Sequence, residues 1–177
     1  MSTDDETRPA ARLTVLTGPS GAGVGSVVEL FRARCPSVWL AIPATTRPRR
    51  GGEVDGVDRI FVDPARFDRL VAAGGLLEWA RAGPYSRGVP AGPVEQRLAA
   101  GRPVLLPLDP RGALALRAAR PQLRLVLLVP PGRRPEPAVA AVAAHVVTHD
   151  RTERAVDELV GLLGSSFLAP SQPPPRG

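Results

Sequence analysis

Five apolar runs constrain this chain more than anything else in it: RLTVLT (12–17), VWLAIP (38–43), PVLLPLD (103–109), LRLVLLVP (123–130) and AHVVTHD (144–150). A strand with one wet face alternates apolar and polar residues. These runs are nearly continuous, so both faces of each must be covered. Helical patterns separate them: GSVVELFRAR (25–34), DPARFDRLVAAG (63–74), GPVEQRLAAG (92–101), RGALALRAARP (111–121) and RTERAVDELVGLL (151–163). Asp63 followed by Pro64 reads as a helix cap and first turn, and Asp150 with Glu153 as a capping box. Alternating strands and helices predict an α/β fold, a doubly wound parallel sheet of about five strands. No internal repeat is visible. Residues 1–10 and 166–177 read as disordered tails around a domain spanning 11–165.

The chain has 177 residues, a formal charge of +6 and one cysteine, Cys35. It therefore suits a single domain with a full core, in a reducing cytoplasm. No run is long and apolar enough to span a membrane, and the acidic start MSTDDETRPAAR carries no apolar signal region, so export is not expected. All 23 basic residues are arginine, and lysine and asparagine are absent. A GC-rich bacterial genome accounts for that bias. It converts lysine to arginine readily, but not lysine to valine. The positive charge favours anionic ligands. Scattered arginines and 4% aromatics give little support to nucleic-acid binding.

The first strand runs into GPSGAGVGS (18–26) and then a helix. Gly18, Ser20, Gly21, Ala22, Gly23, Gly25 and Ser26 form a candidate phosphate loop. Its glycines let backbone N–H groups approach an anion, and the helix adds its N-terminal partial charge. The full pattern needs lysine after Gly23. Val24 stands there, with no charge and no donor, and can simply pack. Gly25 followed by the hydroxyl of Ser26 is tolerable. Cys35, near a helix end, reads as structural. His145 and His149 read as bland rather than metal-binding, and Trp39 and Trp79 as core or pocket wall.

Downstream motifs carry a resemblance. AIPATTRPRRGGEVDGVDRIFVD (41–63), GLLEWARAGPYSRG (75–88), PVLLPLDPRGALALR (103–117) and AHVVTHDRTERAVDELVGLL (144–163) are together similar to the ordered signatures of the guanylate kinase family. The likeness runs from about Arg12 to Leu163. It implies a P-loop kinase-type fold with a small monophosphate-binding region, 43–90. It also implies phosphorylation of GMP by ATP with Mg²⁺. By motif position, Arg47 and Arg50 match the arginines that grip the GMP phosphate. Glu53 matches an acidic residue of the same loop, and Thr46 precedes the first arginine. Glu78 matches the carboxylate that reads the guanine edge, and Asp109 an acidic position near metal and substrate.

The departures from the family are patterned. Pro43 stands in place of a serine near the base. Arg59 and Arg87 replace two tyrosines that bond the GMP phosphate, and Pro107 replaces the first aspartate of a D-x-D pair. Val24 replaces the loop lysine. The lid is truncated to 131–143, with Arg133 and Arg134 as the available stand-ins for its arginines. The losses fall on the ATP side. Three readings follow: a degenerate kinase that binds GMP or a related phosphate, an active guanylate kinase with an atypical phosphate site, or a module that captures a phosphorylated or acidic protein partner in the old GMP pocket. Mg²⁺ and ATP are implied only under the second, and no metal site is expected otherwise.

Overall fold

The computed structural model describes residues 13–164. The expected tails, 1–10 and 166–177, lie outside the described residues. All five apolar runs form strands of one parallel sheet: β1 (Leu13–Thr17), β2 (Trp39–Leu40), β7 (Val104–Pro107), β8 (Arg124–Val129) and β9 (His145–Thr148), in the order β2-β7-β1-β8-β9. The continuous apolar character has the expected cause. Successive side chains point to opposite faces, and both faces are packed. On one face Val15, Leu106, Leu125 and Leu127 meet α3 (Ala91–Ala99), α4 (Pro110–Ala119) and the four-residue α5 (Pro137–Ala140) through Val94, Leu116 and Val139. On the other, Leu16, Leu105, Val126 and Leu128 meet α1 (Val24–Arg34) and α6 (Thr152–Gly164) through Phe31, Val156 and Leu159.

A second sheet was not legible beforehand. It comprises β3 (Ala44–Thr45), β4 (Ile60–Phe61), β5 (Leu76–Ala82) and β6 (Tyr85–Pro90), in the order β4-β3-β6-β5. Its back packs on α2 (Pro64–Ala72) through Ala44, Val62 and Phe67. Asp63 caps α2 as expected, accepting the Arg66 N–H at 2.7 Å with Pro64 in the first turn. The box expected of Asp150 and Glu153 is replaced by other bonds. Asp150 takes the Arg151 N–H at 2.8 Å and the Arg154 guanidinium at 2.9 Å.

Because the main strands are parallel, their C-terminal ends share one edge, where open α/β sheets bind ligands. Thr17 leads into the glycine loop, Pro107 to Asp109, Val129 to the 130–136 turn, and Thr148 to His149.

Candidate functional site

The glycine loop folds as strand, turn and helix. Gly21 and Gly23 adopt φ of 81° and 79°, in the left-handed region that glycine alone enters freely. Gly23 is the N-cap of α1 without a side-chain cap, so the first-turn N–H groups of the helix face the loop unclaimed by any side chain. Val24 does not reach outward. It packs on the α1–α6 side of the core, and a Cβ placed on Gly18 would lie 3.2 Å from its Cγ2. A hydrocarbon side chain thus folds back on the loop at the position where the motif calls for an ammonium group.

His149, read from the sequence as bland, has a role at the loop that sequence reasoning missed. It arrives from the end of β9. Nδ1 lies 2.6 Å from the Ala22 carbonyl, and Nε2 lies 3.1 Å from Thr152 Oγ1. A carbonyl only accepts, so Nδ1 carries a proton. The ring rests against Gly23, where any Cβ would overlap it. Gly23 therefore serves both its own φ and the imidazole. No local signal marks His149, because the contact joins residues 127 apart in sequence. Among the described residues, no group of three or more His, Cys, Asp or Glu could hold a metal ion.

The remaining candidates gather on the front of the second sheet. Phe61, Thr45, Arg87 and Ala80 stand side by side across β4, β3, β6 and β5. Residues two positions away share that face, which brings Arg59, Arg47 and Glu78 beside them. Glu53, in the loop between β3 and β4, is the anchor. It binds the Arg47 guanidinium with both oxygens, at 2.9 and 2.5 Å, accepts the Arg50 N–H at 2.9 Å, and lies 3.8 Å from Arg59 Nε. The Arg47 bonds, then the Arg50 N–H, hold the Glu53 carboxyl down at about 2. The Arg47 guanidinium also stacks 5.7 Å from the Phe61 ring centre. Thr46 Oγ1 accepts the Ser86 N–H at 2.8 Å, tying the arginine loop to β6. Arg59 loses basicity, first through burial and then through repulsion by Arg47.

Arg87 links this cluster to the main sheet. It contacts Asp109 and comes within 3.8 Å of Glu78 Oε2. Asp109 also caps α4, accepting the Gly112 N–H at 2.9 Å. Glu78 is 9% exposed, and its Oε2 is buried without a hydrogen-bond partner. Burial pushes its carboxyl above the usual range, and Arg87 offsets part of that. The carboxylate fits only because α4 has Gly112 in its first turn: a Cβ there would meet Glu78 Oε1 at 2.8 Å. Gly112 is not singled out by the sequence reading, although a glycine in a helix's first turn, DPRG, is the signal that could have found it. A cavity of about 650 Å³ opens over this group, lined by Glu78, Trp79, Arg81, Arg87, Asp109 and Arg111 among others. Trp79 is pocket wall, 44% exposed and edge-on to Phe67 at 6.4 Å. Trp39 packs at the core margin, with Arg97 over its ring at 5.1 Å.

The family model described as guanylate kinase matches residues 10–141. The chain belongs to the guanylate kinase family. A guanylate kinase of Thermobifida fusca (strain YX) is 56% identical, with 68% of this chain and 61% of that protein covered. One from Synechococcus sp. (strain CC9902) is 51% identical, with 64% of its length covered. The chain thus spans under two thirds of the length of these relatives. A guanylate kinase of Mycobacterium sp. (strain MCS) is 38% identical, with 94% of this chain and 98% of that protein covered. The crystal structure of guanylate kinase from Anaplasma phagocytophilum has the same fold, with a TM-score of 0.71 at 21% identity, covering 91% of this chain and 88% of that one.

The family implies a nucleotide ligand. The implied Mg²⁺ does not fit the residues at Asp109: one oxygen caps α4, the other meets Arg87, and Pro107 offers no carboxylate. Among the stand-ins for the lid, Arg133 and Arg134 are exposed on the turn before α5, while Val139 of α5 is buried in the core. The thiol of Cys35, at the end of α1, is pushed up by burial, which suits a structural rather than a reactive residue.

Proposed function

We propose that the protein binds GMP or a closely related guanine nucleotide and does not transfer phosphoryl groups efficiently. The observation that carries this is the contrast between the two half-sites. On the donor side, Val24 packs over Gly18 where the motif needs a lysine, and 131–143 holds a short packed crossover in place of a long lid. On the acceptor side, Glu78 presents a buried oxygen without a hydrogen-bond partner beside a cavity, and arginines surround Glu53. Two N–H donors on a guanine edge match that carboxylate, while adenine lacks them. Phosphoryl transfer depends on positioned charge around the transferring group. Removal of one preorganised donor costs about 3–4 kcal/mol, so loss of the lysine alone lowers the rate roughly 10²–10³-fold.

Under this reading the region 43–90 is the monophosphate-binding part of a domain spanning 11–165, and the protein works in the cytoplasm. The test pairs calorimetry with a coupled kinase assay, using GMP, AMP and ATP on wild type and Glu78→Ala. Saturable GMP binding, weaker AMP binding by at least about 1–3 kcal/mol, and negligible turnover are expected. Turnover of order 1 s⁻¹ or more would instead establish the second reading, an active guanylate kinase. That reading is favoured by the relatives, which are named guanylate kinases. A GMP preference that survives Glu78→Ala would remove Glu78 from base reading and give the lead to capture of a phosphorylated or acidic protein partner.

A further inference from the structure

We propose that the phosphate end of this site prefers a guanine nucleoside 5′-diphosphate over the monophosphate, and that Arg59 and Arg87 set the preference. The inference rests on the reading of the acceptor side given above and adds the charge class of its ligand.

The argument begins with the sheet. Arg59, Arg47 and Arg87 project from one face of three adjacent strands or their immediate ends, and Arg50 follows Arg47 in the same loop. Arg59 feels repulsion from Arg47, Arg50 and Arg87, so the other three guanidinium groups all lie within its field. The carboxylates paired with them are Glu53, Asp109 and, with its Oε2 at 3.8 Å from Arg87, Glu78. Four cations against three carboxylates leave a surplus of one positive charge at the phosphate end. With tyrosines at 59 and 87, as in the family pattern, the same group would carry one net negative charge. The two departures therefore add charge where a monophosphate was already held without it.

A terminal phosphate carries about two negative charges at neutral pH, and the inner phosphate of a diphosphate adds one more. Arg87 stands between the Glu53 cluster and Asp109 at the C-terminal edge of β7, next to β1 and its glycine loop. A phosphate chain extended from Arg47 and Arg50 toward that edge meets Arg87 next. Guanidinium forks pair with phosphate oxygens in two-bond geometry, which a tyrosine hydroxyl does not reproduce. The same surplus makes the longer chain's binding more sensitive to salt.

The experiment is calorimetric titration of GMP and GDP into wild type, Arg59→Tyr and Arg87→Tyr at two salt concentrations. Wild type is expected to bind GDP about tenfold more tightly than GMP, one such factor being about 1.4 kcal/mol. Each variant is expected to lose GDP affinity selectively, bringing the ratio to about threefold or less. Arg87→Tyr also gives up the contact to Asp109. Should it not fold, Arg59→Tyr decides the matter alone, because Glu53 keeps Arg47 as its main partner. Equal or tighter GMP binding by wild type overturns the proposal and leaves the acceptor-site reading standing. So does an unchanged ratio in the variants. Failure of both nucleotides to bind overturns the two together.

Discussion

His149→Ala is expected to destabilise the protein substantially, although no functional role was read for His149 from the sequence. The substitution removes the bonds to Ala22 O and Thr152 Oγ1. Ala22 is 2% exposed, so water does not readily reach the carbonyl that is left behind. Two lost hydrogen bonds at about 0.5–1.5 kcal/mol each, with a carbonyl left poorly satisfied, give about 2–3 kcal/mol. For a domain of this size that lowers Tm by roughly 5–10 °C. Gly23→Ala should cost more. It forces a side chain into φ 79°, about 1–2 kcal/mol, and it expels the imidazole, which repeats the loss of the same two bonds. In the His149→Ala background only the backbone strain remains. The double variant is thus expected to be about 2–3 kcal/mol less damaged than the sum of the singles. Urea unfolding of wild type, both single variants and the double variant measures this, provided the m-values agree. Additivity within about 0.5 kcal/mol, or a neutral His149→Ala, would refute the claim that the ring braces the loop.

Val24→Lys alone is expected to leave turnover far below that of an ordinary kinase, since Pro107 and the short 131–143 crossover still lack their charges; ordinary rates in a coupled assay would make Val24 the sole defect. Glu53 is held down at about 2 in the folded state against 4.5 for the free group. Its contribution is therefore fully present above pH 4.5 and fades as pH falls toward 2, so the deficit of Glu53→Gln should shrink over that window in pH-dependent unfolding. Glu78 has the opposite sign. Its raised carboxyl means that folding favours the protonated form, so stability falls as pH rises from 4.5 through the folded value. Glu78→Gln should therefore be the more stable protein at pH 7 and lose that advantage below pH 4.5, while GMP titration shows weakened binding.

The main sheet could be read from the sequence because burial on both faces writes itself as unbroken apolar runs such as LTVLT and LRLVLLV. The second sheet left no such trace. β3 and β4 are two residues long, and β5 mixes Glu78, Trp79 and Arg81 because its two faces meet a charged site and α2. The candidate site residues Arg47, Arg50, Glu53 and Glu78 stand out through their resemblance to family motifs, yet their partners do not. That Arg87 would meet Asp109, or that Glu53 would gather Arg47, depends on pairing across strands that the sequence did not reveal. His149 shows the same limit most clearly. Read along the chain, the glycine loop has simply lost its cation. In three dimensions the Ala22 carbonyl is held by an imidazole from the far end of the domain, and the loop's valine, half-buried, packs against the core. Both contacts fix the loop's shape through a backbone carbonyl and a hydrocarbon side chain. Loss of the lysine and survival of the loop are therefore compatible, and the presence of the turn says nothing in favour of catalysis.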